Sequence, residues 1–329
     1  MIEALFSFGI ALVITALSGV LLLPALRYLK FGQSIREEGP SWHKAKSGTP
    51  TMGGFLFMVG IVAAVLIMGW PLMKEGDYRH LFILVFALLF GVIGFVDDLC
   101  KVKKKQNLGL TSLQKLLLQL AAAAAFIAVL RYFGYLQTEI YIPFFDVTFQ
   151  VNLVVYVTVS LLVVAGMVNA VNLTDGLDGL CSGVSFPVAC FFAILGVALG
   201  KGGLTVFAAA LAGGLIGFLL YNFHPAKVFM GDTGSLFLGG AVCGMGFVSG
   251  VPLLLIVVGG VFIWEMLSVI LQVLYFKATK GKRIFKMSPF HHHLEMSGWN
   301  EIKIFTVFTA VTVVLCILGW LGVSNILRV

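Results

Sequence analysis

Two adjacent carboxylates, Asp97 and Asp98, lie where a long apolar run gives way to a basic run. Residues 81–96 carry no charge, and residues 101–105 include four lysines. A carboxylate at the edge of an apolar segment is costly unless a cation or a function accompanies it, and adjacent carboxylates repel each other. The pair therefore predicts a site at which aspartates, a metal ion and a diphosphate substrate meet.

A second acidic stretch, residues 169–180, contains no lysine or arginine. Asp175 and Asp178 are three residues apart, so they would share one face of a helical turn, and Asn172 and Thr174 add uncharged donors. A Ca²⁺ loop is an alternative, but the alternating ligands and closing glutamate of an EF-hand are absent. A plain capping turn is the other alternative, and it would not need two aspartates, two asparagines and two glycines.

The segment 229–235 reads Phe-Met-Gly-Asp-Thr-Gly-Ser, which is typical of a tight turn that opens a helix. Asp232 would either cap that helix or bind Mg²⁺, because Mg²⁺ prefers hard oxygen ligands such as carboxylate and phosphate. Phe229 would either stack on a nucleobase or pack in the core, and packing is the commoner role of a lone phenylalanine.

Three consecutive histidines, His291, His292 and His293, form another polar cluster. Consecutive side chains cannot converge on one zinc ion without strain, so hydrogen bonding to phosphate or acid–base chemistry near neutral pH is favoured. Lys115 lies one turn inside an apolar run, where its side chain either extends to the membrane interface or faces the site.

Two further features each allow two interpretations. The segment 43–54, which is rich in glycine, hydroxyl residues and lysine, either wraps a phosphate or forms a loop before a helix. Glu265 is the only acid deep within an apolar run. An interhelical hydrogen-bond anchor is favoured over a functional acid, because the other acids gather near loop ends.

The composition places all these residues in an all-α polytopic membrane protein. The 329 residues are 60% hydrophobic and 11% charged, against about 25% charged in soluble domains. The net charge of +7 indicates lysine-rich cytoplasmic loops rather than nucleic-acid binding. Ten apolar runs predict ten transmembrane helices: Ala4–Leu26, Met52–Trp70, Leu81–Val96, Ser112–Leu130, Leu153–Val168, Gly183–Leu199, Leu204–Tyr221, Leu236–Val248, Leu253–Phe276 and Ile304–Val323.

The distribution of basic residues predicts the orientation. If the loop after the first run is cytoplasmic, only five of the 22 lysines and arginines are external, namely Lys74, Arg79, Arg131, Lys201 and Arg328. Both termini are then external, and so is segment 136–151, whose two β-rich runs around Pro-Phe-Phe-Asp predict a small β-hairpin. The five scattered cysteines are predicted to be free thiols.

The predicted topology places five aspartates on one face of the membrane, namely Asp97, Asp98, Asp175, Asp178 and Asp232. A proton-coupled transporter would place ionisable groups near the midplane. The arrangement instead favours an enzyme whose substrates are half soluble and half lipid.

Together, the segments 48–54, 97–98, 169–179, 229–235 and 289–295 resemble those of the phospho-N-acetylmuramoyl-pentapeptide transferase family, within the polyprenyl-phosphate hexose-1-phosphate transferase superfamily. The resemblance covers essentially the whole chain, and segment 289–295 is more particular to the muramoyl-pentapeptide branch. It implies a single integral-membrane catalytic domain, residues 1–329, with cytoplasmic active-site loops at 27–51, 97–115, 169–180, 222–235 and 277–303.

The resemblance also implies the reaction. UDP-N-acetylmuramoyl-pentapeptide (UDP-MurNAc-pentapeptide) and undecaprenyl phosphate, a membrane lipid, give lipid I and UMP, with Mg²⁺ as cofactor. The implied protein is a homodimer in the bacterial plasma membrane and binds no nucleic acid. The alternatives are a UDP-N-acetylglucosamine transferase of the same superfamily and, in a different class, a lipid flippase or transporter.

The same resemblance implies roles for individual residues. Asp232 is the expected metal ligand, and Asp97 is either the base that deprotonates the polyprenyl phosphate or a covalent nucleophile. Asp98 is expected at the metal or the diphosphate, and Lys115 and His291 complete the catalytic set. The implied uridine-site residues are Lys46, Asp178, Asn222 and Phe229, and the other implied substrate-binding residues are Thr51, Asn172, Asp175, Gly176, Leu177, Gln272 and His292.

The adjacency of Asp97 and Asp98 constrains how they share this work. If a helix continues through both, their side chains point about 100° apart and cannot grip one ion together. One carboxylate then serves the acceptor phosphate and the other serves the metal or a lysine, and we assign Asp97 to the acceptor.

Overall fold

The computed structural model describes residues 2–28, 48–104 and 108–328, and most of these residues are helical. Its helices are α1 (Ile2–Tyr28), α2 (Gly54–Lys74), α3 (Arg79–Lys104), α4 (Ser112–Tyr132), α5 (Leu153–Thr174), α6 (Leu180–Ala198), α7 (Gly202–Asn222), α8 (Gly231–Val248), α9 (Leu254–Val258), α10 (Gly260–Ala278), α11 (Phe290–Glu295) and α12 (Glu301–Val323), followed by a 3₁₀ turn at Ile326–Arg328. Strands β1 (Glu139–Ile142) and β2 (Val147–Gln150) form the one sheet in these ranges.

Nine helices in the described ranges are long and apolar enough to cross a membrane, namely α1 to α7, α10 and α12. They match nine of the ten predicted runs, so the prediction of a helical, multi-pass membrane protein is confirmed. The eighth run forms α8, which is 18 residues long and almost wholly buried. Its polar first turn and its many glycines lower its hydropathy, and it does not meet the criterion of the other nine.

The ninth predicted run differs from the structure. We expected one helix over Leu253–Phe276, but the chain forms the short helix α9 and then α10, with Gly259 between them. A Cβ at Gly259 would overlap the carbonyl oxygen of Leu255 and the side chain of Met167. The hydrophobic pattern alone does not reveal this break, since residues 253–264 on both sides of it are all apolar or glycine.

Helix α8 lies at the centre of the bundle, packed chiefly against α3 and α5. Its small residues allow this close approach; for example, a Cβ on Gly239 would overlap the backbone of Val168 in α5. Helix α7 packs against α1, α2 and α6 and is likewise mostly buried. The first turn of α8 is therefore held at a fixed position among its neighbours.

The predicted hairpin is confirmed. Its strands are antiparallel, Glu139 pairs with Gln150, and the turn spans residues 143–146. The amide of Phe144 donates to the carbonyl of Gly322 at 3.0 Å, so the hairpin packs on the last turn of α12. At the other end of α12, the Glu301 carboxylate accepts from the amide of Asp178. At about 1.5 Å per helical residue, the hairpin and the 175–178 turn are roughly 30 Å apart, on opposite ends of the bundle.

Candidate active site

Helix α3 brings Asp97 and Asp98 against the first turn of α8. The helix does not end with the apolar run but continues through both aspartates to Lys104. Gly94 makes this contact possible, since a Cβ there would overlap the carbonyl group of Asp232. The two aspartates diverge, as the helical geometry requires, and they have different partners.

Asp98 binds the N-terminus of α8. Its carboxylate accepts hydrogen bonds from the amide of Asp232 at 3.2 Å, and from the amide and the hydroxyl of Thr233 at 2.9 and 2.8 Å. Unpaired amides and the helix dipole stabilise a negative charge at this place. Asp98 therefore joins α3 to α8, and its expected contact with a metal or diphosphate stays a prediction.

Asp232 is the carboxylate of the site that contacts two lysines. Lys115 approaches its Oδ2 at 2.7 Å and Lys101 approaches the same atom at 3.0 Å. Its Oδ1 accepts from the side-chain amide of Asn172 at 3.0 Å, which also donates to Ser235. The sequence left Lys115 between two interpretations, and the structure shows that it faces the site.

Asp97 is buried, and both of its oxygens are engaged. Its Oδ1 accepts from the amide of Leu110 at 2.8 Å, and its Oδ2 forms an ion pair with Lys101 at 2.7 Å. Lys101 also lies 3.5 Å from Asp98. Lys101 itself is not among the site residues predicted from the sequence. Its spacing from the aspartates, three and four residues along one helix, was the available signal.

The three carboxylates can hold a metal ion. Ligand oxygens of Asp97, Asp98 and Asp232 lie within 4.8 Å of one another, at a partly buried position. Carboxylate oxygens suit a hard divalent cation. The ammonium group of Lys101 lies among these oxygens, where it neutralises part of their charge.

The loop before α2 pairs with the loop before α8. The amide of Phe229 donates to Pro50 and that of Gly53 donates to Phe229, each at 2.8 Å. Thr51 is buried beside Gly231, whose φ is +72° and where a Cβ would approach both Thr51 and Asp98. This pairing places Thr51 next to Asp98. Phe229, two residues before Gly231, is half-buried.

A second polar group surrounds Asp178. The Asp178 carboxylate accepts from the amide of Ala226 and lies 3.0 Å from Nδ1 of His224, which is 3.7 Å from Glu301. Ligand atoms of Asp178, His224 and Glu301 also lie within 4.8 Å of one another. Neither His224 nor Glu301 could be identified from the sequence, because nothing in the local sequence shows that α12 starts beside the 175–178 turn.

Asn222 and the residues of the 175–177 turn differ in their burial. Asn222 donates to the carbonyl of Val228, and its Oδ1 is buried without a partner among the described residues. Leu177 is buried and Gly176 is exposed. Burial, followed by the carboxylates of Asp232, Asp98 and Asp178, raises the pKa of Asp175 well above its ordinary value.

The histidine segment forms α11, and its three rings differ in their contacts. His291 is buried, with Nδ1 2.7 Å from Glu265. His292 lies 2.7 Å from Glu295, and His293 accepts from the amide of Lys286. The interpretation of Glu265 as an interhelical hydrogen-bond anchor therefore agrees with its contact to α11.

Gln272 and Lys46 are two further residues expected to bind substrate. The side-chain oxygen of Gln272 accepts from the amides of Ile284 and Phe285 at 3.1 and 3.0 Å, which anchors the segment after α10. Lys46 lies outside the described residues.

The fold and the site define a polytopic membrane protein with a carboxylate and lysine centre at one end of its helix bundle. Residues 80–250 match the family model described as glycosyl transferase family 4. Over nearly the whole chain, the sequence is similar to proteins named phospho-N-acetylmuramoyl-pentapeptide-transferase. The identity is 47% to that of Clostridium botulinum (92% of this chain, 91% of the relative) and 47% to that of Bacillus subtilis (96% of each). It is 48% to that of Bacillus cytotoxicus, again over 96% of each chain. The chain belongs to glycosyl transferase family 4 and, within it, to the phospho-N-acetylmuramoyl-pentapeptide transferases.

Proposed function

We infer that this protein transfers phospho-N-acetylmuramoyl-pentapeptide from its UDP-linked precursor to undecaprenyl phosphate, which gives lipid I and UMP. The observation that carries this function is the meeting of Asp97, Asp98 and Asp232 with Lys101 and Lys115 at one end of a membrane-spanning bundle. Phosphoryl transfer depends mainly on positioning and on neutralisation of charge, and this cluster supplies both. The relatives that share the sequence bear the corresponding name.

The reaction exchanges one phosphate linkage for another. An oxygen of the acceptor phosphate attacks the phosphorus bonded to the sugar, the bond to the UMP oxygen breaks, and UMP leaves with the electron pair. Lys101 and Lys115 can neutralise charge on the acceptor phosphate and on the departing UMP. Asp97 lies beside Lys101, where it can take the proton of an acceptor phosphate that arrives as a monoanion.

We propose Mg²⁺ as the cofactor, with Asp232 as the principal ligand and Asp97 and Asp98 nearby. The oxygen-only donor set fits this hard cation, which would neutralise charge on the diphosphate. Three carboxylates and two lysines leave a net negative site. An additional divalent cation makes that site positive, as an anionic substrate requires.

Lys101 and a divalent cation compete for the same oxygens in this arrangement. Lys101→Gln is expected to tighten Mn²⁺ binding by about tenfold or more, because unit charges about 4 Å apart interact by about 4 kcal/mol at a protein-surface dielectric. Electron paramagnetic resonance titration of the detergent-solubilised protein measures this binding. Lys103→Gln removes an equal charge from an exposed position on the same helix and serves as the control. Equal Mn²⁺ affinity in the two variants would contradict the competition.

We propose that the uridine site lies around Phe229, Asn222 and Asp178, with Lys46 contributing. Phe229→Ala is expected to raise the KM for the UDP-linked substrate roughly tenfold, because a base stacked on an aromatic ring contributes about 1–3 kcal/mol. Its backbone hydrogen bonds to Pro50 and Gly53 persist in the variant, so the loop pairing is retained. The KM for undecaprenyl phosphate should not change.

Phe223→Ala is the matched control, because it removes another phenylalanine ring from the same loop. The ring of Phe223 packs edge-to-face on that of Phe305. Steady-state kinetics with each substrate varied in turn give both constants. An unchanged KM for the UDP-linked substrate in Phe229→Ala would rule out the stacking role.

The neighbouring sugar–phosphate region is proposed to be lined by Thr51, Asn172, the 175–177 turn, Gln272 and His292. Asn172 already bonds Asp232 and so can join a substrate group to the carboxylate cluster. The expected cytoplasmic position of this region and a homodimeric assembly are further parts of the proposal, and they rest on the family and on the lysine distribution.

A transfer assay in detergent tests the function against its alternatives. Purified protein with undecaprenyl phosphate and radiolabelled UDP-MurNAc-pentapeptide should release UMP and form a lipid-extractable labelled product. A flippase or transporter would make no such product, because detergent leaves no second compartment. Competition by unlabelled UDP-N-acetylglucosamine separates the remaining alternative, since a true muramoyl-pentapeptide transferase should be insensitive to it.

A further inference from the structure

Glu265 and His291 form a hydrogen-bonded pair between α10 and α11. Glu265 is fully buried, and its Oε2 lies 2.7 Å from Nδ1 of His291. Its Oε1 accepts from the backbone amide of the same histidine at 3.2 Å. A carboxylate at this depth needs such partners, and His291 supplies both of them.

This pairing determines which ring nitrogen of His291 carries a proton. A carboxylate only accepts hydrogen bonds, so Nδ1 must be the donor. In the neutral ring, Nε2 is then the nitrogen with a free lone pair.

Nε2 of His291 is positioned at the substrate turn. This atom is buried and has no hydrogen-bond partner in the described part of the chain. It lies against Gly176, where a Cβ would overlap it. Gly176 is exposed and is followed in the same turn by Leu177 and Asp178. The histidine thus connects an acid deep in α10 to the turn proposed to line the sugar–phosphate region.

The two neighbouring histidines have different arrangements. His292 pairs with Glu295 of its own short helix, and His293 accepts a backbone hydrogen bond through Nδ1, so its proton lies on Nε2. The ring of His291 is oriented by a membrane-spanning helix, α10.

We propose that Glu265 is a positioning residue, which holds the His291 proton on Nδ1 so that Nε2 accepts a hydrogen bond from a hydroxyl or amide N–H of the donor sugar. The proposal rests on the function inferred above. It assigns a role to Glu265, for which the sequence allowed two interpretations. It also makes a hydroxyl or amide N–H of the sugar, rather than a phosphate oxygen, the hydrogen-bond partner of His291.

The variant Glu265→Gln separates this role from a purely structural one. The amide oxygen of glutamine can still accept from the backbone N–H of His291, which keeps the helix anchor. Its NH₂ group then faces Nδ1, which must become the acceptor, so the ring proton moves to Nε2. The substitution therefore reverses the character of Nε2 while α11 stays in place.

The ring nitrogens can be observed directly by ¹⁵N NMR of the histidine-labelled protein, which has six histidines. The His291 signals are assigned by their loss in His291→Gln. In the wild type, Nδ1 should be protonated and Nε2 not; in Glu265→Gln the pattern should reverse. Glu295→Gln is the spectral control, since it should alter the His292 ring while the proton of His291 stays on Nδ1.

Kinetics supply the second readout. Glu265→Gln should lower kcat/KM for the UDP-linked substrate by about 10–100-fold, because a buried polar partner is left unmatched. The affinity for UMP, which lacks the sugar, should be unchanged.

A wild-type spectrum with the proton on Nε2 alone would overturn the proposal, whether or not the variant folds. So would a reversed tautomer with kcat/KM within twofold of wild type. Failure of the inferred function is distinguishable, since the wild type would then make no lipid-linked product whatever its spectrum.

Discussion

Asp232→Asn is expected to reduce UMP release by about a thousandfold or more while leaving the protein folded. The Asp232 carboxylate receives two lysines on Oδ2 and Asn172 on Oδ1, and it is the proposed metal ligand. An uncharged amide cannot balance Lys101 and Lys115 together, nor bind a divalent cation as a carboxylate does. Loss of one preorganised electrostatic group alone commonly costs 10²–10³ in rate, and this substitution disturbs several.

Two measurements check this result. UMP release under saturating substrates gives the rate, and a thermal unfolding scan in detergent shows whether the variant is folded. Asp77→Asn is the matched control, because Asp77 also pairs with a basic residue and a backbone amide, but at the start of α3, the end remote from Asp97. Turnover near the wild-type rate in Asp232→Asn would remove Asp232 from the reaction.

The helices could be predicted from the sequence because hydropathy reports burial in a membrane directly. The hairpin was predicted because a Pro-Phe-Phe-Asp turn lies between two β-rich runs, and two antiparallel strands form there. Helix limits were harder to predict. The apolar run ends at Val96, but α3 continues to Lys104, and on this added part Lys101 forms ion pairs with Asp97 and Asp98.

The aspartates of the site could be identified from their residue types, but most of their partners could not. Asp98 bonds the start of α8, and the Glu301 carboxylate approaches Asp178 from α12, more than 100 residues away in each case. Such contacts depend on how the helices pack, which no local pattern contains. Lys101 was missed for another reason: it is one of four lysines within residues 101–105, and their residue type does not show which of them faces the aspartates.

Asp97→Asn is expected to slow transfer by about 10²–10⁴-fold, the range in which a general base contributes. The amide oxygen of asparagine can still accept from the amide of Leu110, so the local backbone is retained. The variant loses the ion pair with Lys101 and the ability to take a proton from the acceptor phosphate. The rate of UMP release, measured across a pH series, is the observable.

The pH series distinguishes what Asp97 does. If it deprotonates undecaprenyl phosphate, the defect should shrink as pH rises, because the second ionisation of a phosphate monoester has a pKa of about 6 and is complete in alkaline solution. If Asp97 only holds Lys101 in place, the defect should be the same at every pH.

A covalent intermediate makes a different prediction: the wild type without acceptor would release one equivalent of UMP per active site. We expect no such burst, since the proposed role of Asp97 beside Lys101 is to take a proton from the acceptor phosphate.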